Sequence, residues 1–187
     1  MTTQYVGWRR WLSPWNIAMV VLLIWLAPRL LPHLGALVGV ESGGKIAPSY
    51  KVTTLTGDTL SPSQLRGKVV LVNFWATWCG PCRMEMPALQ AMYERHRAQG
   101  LVLVGLSVDR GVDQVVRDYV RDRGVTYPIA IVGAAEEAAF GGVRGYPTSF
   151  VLDRNGVVRH AVIGPLAPAT LEPAVRRLLE EPAPNGR

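Results

Sequence analysis

The chain has 187 residues, 49% of them hydrophobic and only 18% charged, with a formal net charge of +6. One domain of ordinary size plus a separate apolar segment fits these figures, and a core of that size needs no disulfide staples. Basic residues interleave with acidic ones instead of forming a patch, so no nucleic-acid partner is expected.

The apolar segment comes first. Ile17 to Pro28 carries no charge, Arg29 follows, and LLPHLGALVGV runs on to Val40. The stretch reaches the roughly 20 residues needed to cross a bilayer only by including Arg29 and His33. A central arginine costs about 2.5–3.5 kcal/mol on insertion, but one nearer the end can snorkel to the headgroups. We read residues 1–40 as a signal anchor with one transmembrane helix. Trp8, Trp11 and Trp15 resemble an interfacial belt, and Arg9 and Arg10 keep the N-terminus cytoplasmic. The remainder would then lie outside the cell membrane, on its periplasmic side. A cleaved secretory signal is the competing reading, and no clear small-x-small site supports it. The arginine pair is a poor match to a twin-arginine export signal, and no cysteine closes the apolar run to take a lipid.

Residues 41–48, ESGGKIAP, read as a linker, 49–181 as the domain and 182–187 as a disordered tail. Tyr50 to Leu55 alternates as a short strand, Thr56 to Asp58 is a turn, and Leu60 to Leu65 suggests one helical turn. Val69 to Trp75, VVLVNFW, has the continuous apolar character of a strand buried on both faces. A helix from Cys82 to about Ala98 leads to a second such strand, Leu101 to Val108. A helix at Val112 to Arg123, a strand at Tyr127 to Val132 and a helix at Ala134 to Phe140 come next. Thr148 to Asp153 and Val157 to Ile163 form a hairpin around Asp153-Arg154-Asn155-Gly156, and a last helix covers Pro168 to Glu181. The order predicts a mixed α/β layer architecture without internal repeats.

Cys79 and Cys82, in NFWATWCGPCRMEMP, are the only cysteines. A structural zinc site needs four ligands, and His33, His96 and His160 are scattered; we read His96 and His160 as surface residues. A structural disulfide across two intervening residues removes little chain entropy. A redox dithiol needs one activated, exposed thiolate and one shielded in reserve. A strand-to-helix junction supplies both. The helix N-terminus stabilises a thiolate at Cys79, bringing its pKa below the usual value of about 8.5, and Cys82, one turn on, can attack the mixed disulfide. No bound cofactor or metal is expected beyond the redox-active disulfide of Cys79 and Cys82.

With these motifs, residues 49–179 resemble a thioredoxin-superfamily domain, which implies a central mixed sheet flanked by helices. NFWATWCGPC is similar to the active-site segment, with Trp75 and Trp78 at its aromatic positions. Pro87 matches the proline that kinks the active-site helix. VRGYPTSF, Val143 to Phe150, resembles the segment that carries a cis-proline, here Pro147, and Gly164 matches the glycine after the last strand. CRMEMP, the GLSVD strand end at Gly105 to Asp109, the anchor and an extra N-terminal strand look like the TlpA/ResA branch. Its members are extracytoplasmic thiol-disulfide oxidoreductases, several of them reductants in cytochrome c maturation. The resemblance implies catalytic roles for Cys79, Cys82 and Pro147, and a docking surface of Trp78, Gly80, Pro81, Tyr146 and Thr148. It also implies exported disulfide-containing clients, apocytochrome c among them, and recharging by a transmembrane thiol conduit of the CcdA/DsbD kind.

One departure bears on mechanism. Thioredoxin has a buried Asp at the position of Asn73, and an amide does not titrate. Glu85, three residues beyond Cys82 on the same helix face, is the substitute proton acceptor. A solvated helix glutamate is the bland alternative. Net disulfide oxidation or isomerisation would use the same residues with the opposite electron flow. A copper-binding or cytochrome-assembly adaptor is the non-enzymatic alternative, although copper chaperones of this fold space their cysteines by three residues and add a distant histidine.

Overall fold

The computed structural model describes residues 44–165 and 167–182, together with Trp15, residues 18–22 and Trp25. The chain divides into two compact units, Met1–Val38 and Gly39–Arg187. In the first, the described residues are helical and exposed. The rest of the expected anchor lies outside the described residues, and among those described no helix is long and apolar enough to cross a membrane. Residues 183–187 of the expected tail also lie outside them.

The second unit is built on a five-stranded sheet. Its strands are β3 (Val69–Trp75), β4 (Leu101–Ser107), β5 (Ile129–Ile131), β6 (Thr148–Leu152) and β7 (Val158–Ile163), in the spatial order β5-β4-β3-β6-β7. A two-residue hairpin, β1 (Val52–Thr53) and β2 (Thr59–Leu60), precedes them. Helix α1 (Gly80–His96) and helix α2 (Asp113–Asp122) are the crossovers between the parallel strands, α3 (Ala134–Ala139) follows β5, and α4 (Ala167–Glu180) closes the chain. β6 runs antiparallel to β3, and β7 antiparallel to β6.

Every residue of β3 is buried, which explains its unbroken apolar run: a central strand is covered on both faces. Val70, Val72 and Phe74 point one way, toward Phe140 at the end of α3 and Phe150 of β6. Leu71, Asn73 and Trp75 point toward the helix α1, which turns Cys82, Glu85, Met86, Leu89, Met92 and His96 inward at three- and four-residue spacing. Gly105 of β4, opposite Asn73, is required there: a Cβ would fall 2.5 Å from Ile129 Cδ1 and 3.1 Å from Trp75 Nε1. The hairpin forms as expected. Asp153 Oδ1 accepts from the backbone N–H groups of Asn155 and Val157, and Gly156 takes the left-handed conformation at φ 76°.

Three expectations need correction. Leu60 belongs to β2 and pairs with Val52, so the expected helical turn begins only after it, where the Gln64 N–H donates to Ser61 O at 3.1 Å and the Leu65 N–H to Pro62 O at 3.3 Å. The segment read as linker adds to the sheet: Ala47 N–H donates to Gly156 O and Val158 N–H to Lys45 O, each at 2.8 Å. His96 is no surface residue. It is buried on α1, and its Nε2 lies 3.0 Å from Glu172 of α4, the carboxylate that Arg95 also holds.

Candidate active site

Strand β3 ends at Trp75, and the short loop 76–78 delivers Cys79 as the N-cap of α1. Gly80 and Pro81 form the first turn, where a proline's missing N–H breaks no helical bond. Pro87 stands further along, removing the bond that the Arg83 carbonyl would otherwise receive. Cys79 and Cys82 are joined as a disulfide, and the Cys82 N–H donates to Cys79 Sγ at 3.2 Å. No acidic residue occupies the first turn, so nothing opposes the positive end of the helix at the sulfur of Cys79. Both cysteines are shielded. Cys79 is 6% exposed and Cys82 1%, so the expected openness of Cys79 is only relative to its partner.

Around the disulfide the surface is aromatic. Trp78 is 67% exposed and meets Tyr146 edge-to-face, with ring centroids 5.8 Å apart. Gly80 and Pro81 are exposed beside it. The Tyr146–Pro147 peptide bond is cis, as expected, and the Pro147 carbonyl accepts from the Gly164 N–H at 2.8 Å. Thr148 departs from its expected place in the docking surface. Its side chain is buried and donates to the Gly145 carbonyl at 2.7 Å, holding the loop shut.

Glu85 is also buried, 4% exposed. Asn73 Nδ2 donates to its Oε1 at 2.8 Å and to Ser149 Oγ at 2.9 Å, while Glu85 Oε2 has no protein partner. Burial pushes the carboxyl up to about 7, against the opposing pull of the Asn73 hydrogen bond. A group so poised can take and release a proton near neutrality. A groove of about 430 Å³ lies alongside, lined by Glu85 with Met84, Ala88, Pro165, Pro168 and Glu172. The solvated-glutamate alternative does not fit this burial.

Sequence reasoning passed over three residues that frame the site. Ser149 is the second anchor of Asn73; Asp109 bonds the loop before Cys79; and Glu137 accepts from the Tyr146 hydroxyl. Asp109 lies in GLSVD and Ser149 in VRGYPTSF, but neither motif points to these contacts; Glu137 lies in no motif. Among the described residues, no group of three or more His, Cys, Asp or Glu side chains is placed to hold a metal ion.

Residues 43–161 match the sequence model of the AhpC/TSA family. Thiol-disulfide oxidoreductase ResA of Bacillus thuringiensis (strain Al Hakam) is 35% identical over 135 residues, covering 72% of this chain and 78% of that protein. Thioredoxin-like protein YneN of Bacillus subtilis (strain 168) is 34% identical over 136 residues, 72% of this chain and 79% of its own. Among solved structures, a thiol:disulfide interchange protein of the thioredoxin family from Chlorobium tepidum TLS superposes with a TM-score of 0.66 at 33% identity. It covers 74% of this chain and 99% of that one.

Proposed function

Since the chain belongs to the AhpC/TSA family and is a thiol-disulfide oxidoreductase of the ResA type, we propose that it reduces disulfides in exported client proteins while tethered to the cell membrane. The observation that carries this reading is the pairing of a dithiol at a helix N-terminus with a buried carboxyl one helical turn beyond its second cysteine.

In the reduced protein, the Cys79 thiolate attacks one sulfur of the client disulfide, and the other leaves as a thiolate. Glu85 takes the proton of Cys82, whose sulfur then attacks Cys79 Sγ and expels the second client thiolate. Two electrons have passed to the client, and Cys79 and Cys82 are left as a disulfide. Glu85 then gives up its proton to solvent to restore the starting state. A transmembrane thiol conduit of the CcdA/DsbD kind would recharge the pair, and apocytochrome c is one fitting client. The exposed helical side chains of Trp15, Met19, Val20, Val21, Leu22 and Trp25 support the tether.

The test is trapping. Cys82→Ser should hold clients as mixed disulfides through Cys79, and Cys79→Ser should hold none; the opposite pattern would reverse the two roles. A reduction potential near about −270 mV suits a reductant, whereas one near about −120 mV would turn the electron flow round. Release of the protein by alkaline carbonate as a shortened species would favour a cleaved signal over the tether.

A further inference from the structure

The docking aromatics pose a problem of their own. Trp78 is 67% exposed, so no core fixes its ring, and a client surface made of a loose indole and a loose phenol would have to order both on binding. Two adjacent residues at the end of β4 meet that need from opposite sides.

Asp109 is 3% exposed. Its Oδ2 accepts from the Thr77 N–H at 2.9 Å and from the Ser107 hydroxyl at 2.7 Å, and its Oδ1 accepts from the Thr77 hydroxyl at 2.7 Å. Thr77 directly precedes Trp78. Arg110, the next residue, donates from Nη2 to Glu137 Oε2 at 3.3 Å, and Glu137 Oε1 accepts from the Tyr146 hydroxyl. Tyr146 directly precedes Pro147 and carries the ring that Trp78 meets. One dipeptide therefore reaches both halves of the aromatic pair. Stability is a poor explanation for the second arm: Arg110 is 64% exposed, and an exposed ion pair contributes at most about 1 kcal/mol.

We propose that Asp109 and Arg110 are positioning residues for client docking, Asp109 setting Trp78 through Thr77 and Arg110 setting Tyr146 through Glu137. The proposal rests on the client-reductase reading. The occupant is an extended protein segment flanking a disulfide, with an apolar side chain laid against the two rings and its polar backbone toward the tyrosine.

Steady-state reduction of insulin disulfides by the full chain, with dithiothreitol recharging the Cys79–Cys82 pair, tests it. Glu137→Ala should raise KM about three- to tenfold, the loss of one hydrogen bond to a charged group, with kcat unchanged. Glu137→Gln still accepts from Tyr146 but turns its amide NH2 toward Arg110, so it keeps one link, loses the other and should restore only part of the affinity. Tyr146→Phe should match Glu137→Ala, and the double variant should be no worse than either alone, because both remove the same link. Thr77→Val, which keeps shape and loses the hydroxyl, probes the Asp109 arm without unfolding it and should also raise KM. Unchanged KM in these variants, a fall in kcat alone, or additive losses in the double variant would overturn the proposal while leaving the reductase reading intact. A wild-type protein that reduces no protein disulfide would overturn both.

Discussion

The two faces of strand β3 are built to different rules. On one, Val70, Val72 and Phe74 lie in register with Val102, Val104 and Leu106 of β4, and Phe74, Phe140, Phe150 and Tyr50 stack in a chain of ring contacts. On the other, Ser149, Asn73 and Gly105 form a row across three strands, directly beneath Glu85. The first face contributes stability through burial and close packing. The second gives some of that up. An amide and a carboxyl are kept out of water with one carboxylate oxygen lacking a protein partner, a cost that a structural layer would avoid. Chemistry and stability are thus separated by the thickness of one strand.

The largest expected effect tests the dry face. Phe74→Ala empties a fully buried site and should lower stability by about 3–5 kcal/mol. In the fraction that stays folded, the pH midpoint of thiol reactivity should match that of the wild type, measured by alkylation rate against pH. A moved midpoint would mean that the two faces are not independent.

Glu85→Gln probes the wet face and comes next in size. The native carboxyl titrates at about 7 and an ordinary one near 4.5. Between those values the folded protein holds a proton that the unfolded chain has released, so its stability is greatest in acid and declines as pH rises through the native value. The glutamine variant has no such decline. In the oxidised protein it should match wild type in acid and exceed it by up to about 3 kcal/mol at about pH 8. Reductase turnover should fall, because Cys82 loses its proton acceptor. Equal stability curves together with unchanged turnover would make Glu85 a bystander.

How far the chain announces this division is uneven. The unbroken run VVLVNFW marks β3 as central, yet because both faces are buried, periodicity does not say which one Asn73 joins. Glu85 shares a helix face with Cys82 by spacing alone, but spacing indicates direction and not depth; its burial comes from α1 lying on the sheet, with the carboxyl against Asn73 of β3. The β2 strand is only two residues long, Thr59–Leu60, too short for a period-2 pattern, and its partner, Val52–Thr53, lies across a tight turn. The Arg110–Glu137–Tyr146 link spans 27 and 9 residues of sequence, and no local pattern encodes it. The cysteines stood out because their spacing is itself the chemistry, whereas Pro147 was legible only through the resemblance of VRGYPTSF to a known segment.

The smallest expected effect falls within the polar row. Ser149 is fully buried and holds one of the two amide protons of Asn73, whose other proton goes to Glu85. Ser149→Ala leaves the first proton unmet at a cost of about 1 kcal/mol. An amide held at one point can turn, and a turned Asn73 gives Glu85 a poorer hydrogen bond. That bond is what pulls the carboxyl down against burial, so its weakening should raise the midpoint by a fraction of a pH unit. Turnover at about pH 7 should change slightly, and thermal unfolding should shift by a few degrees. A stability loss of that size with an unmoved midpoint would show that Ser149 only fills space, and that the Asn73 amide is aimed at Glu85 by the strand itself.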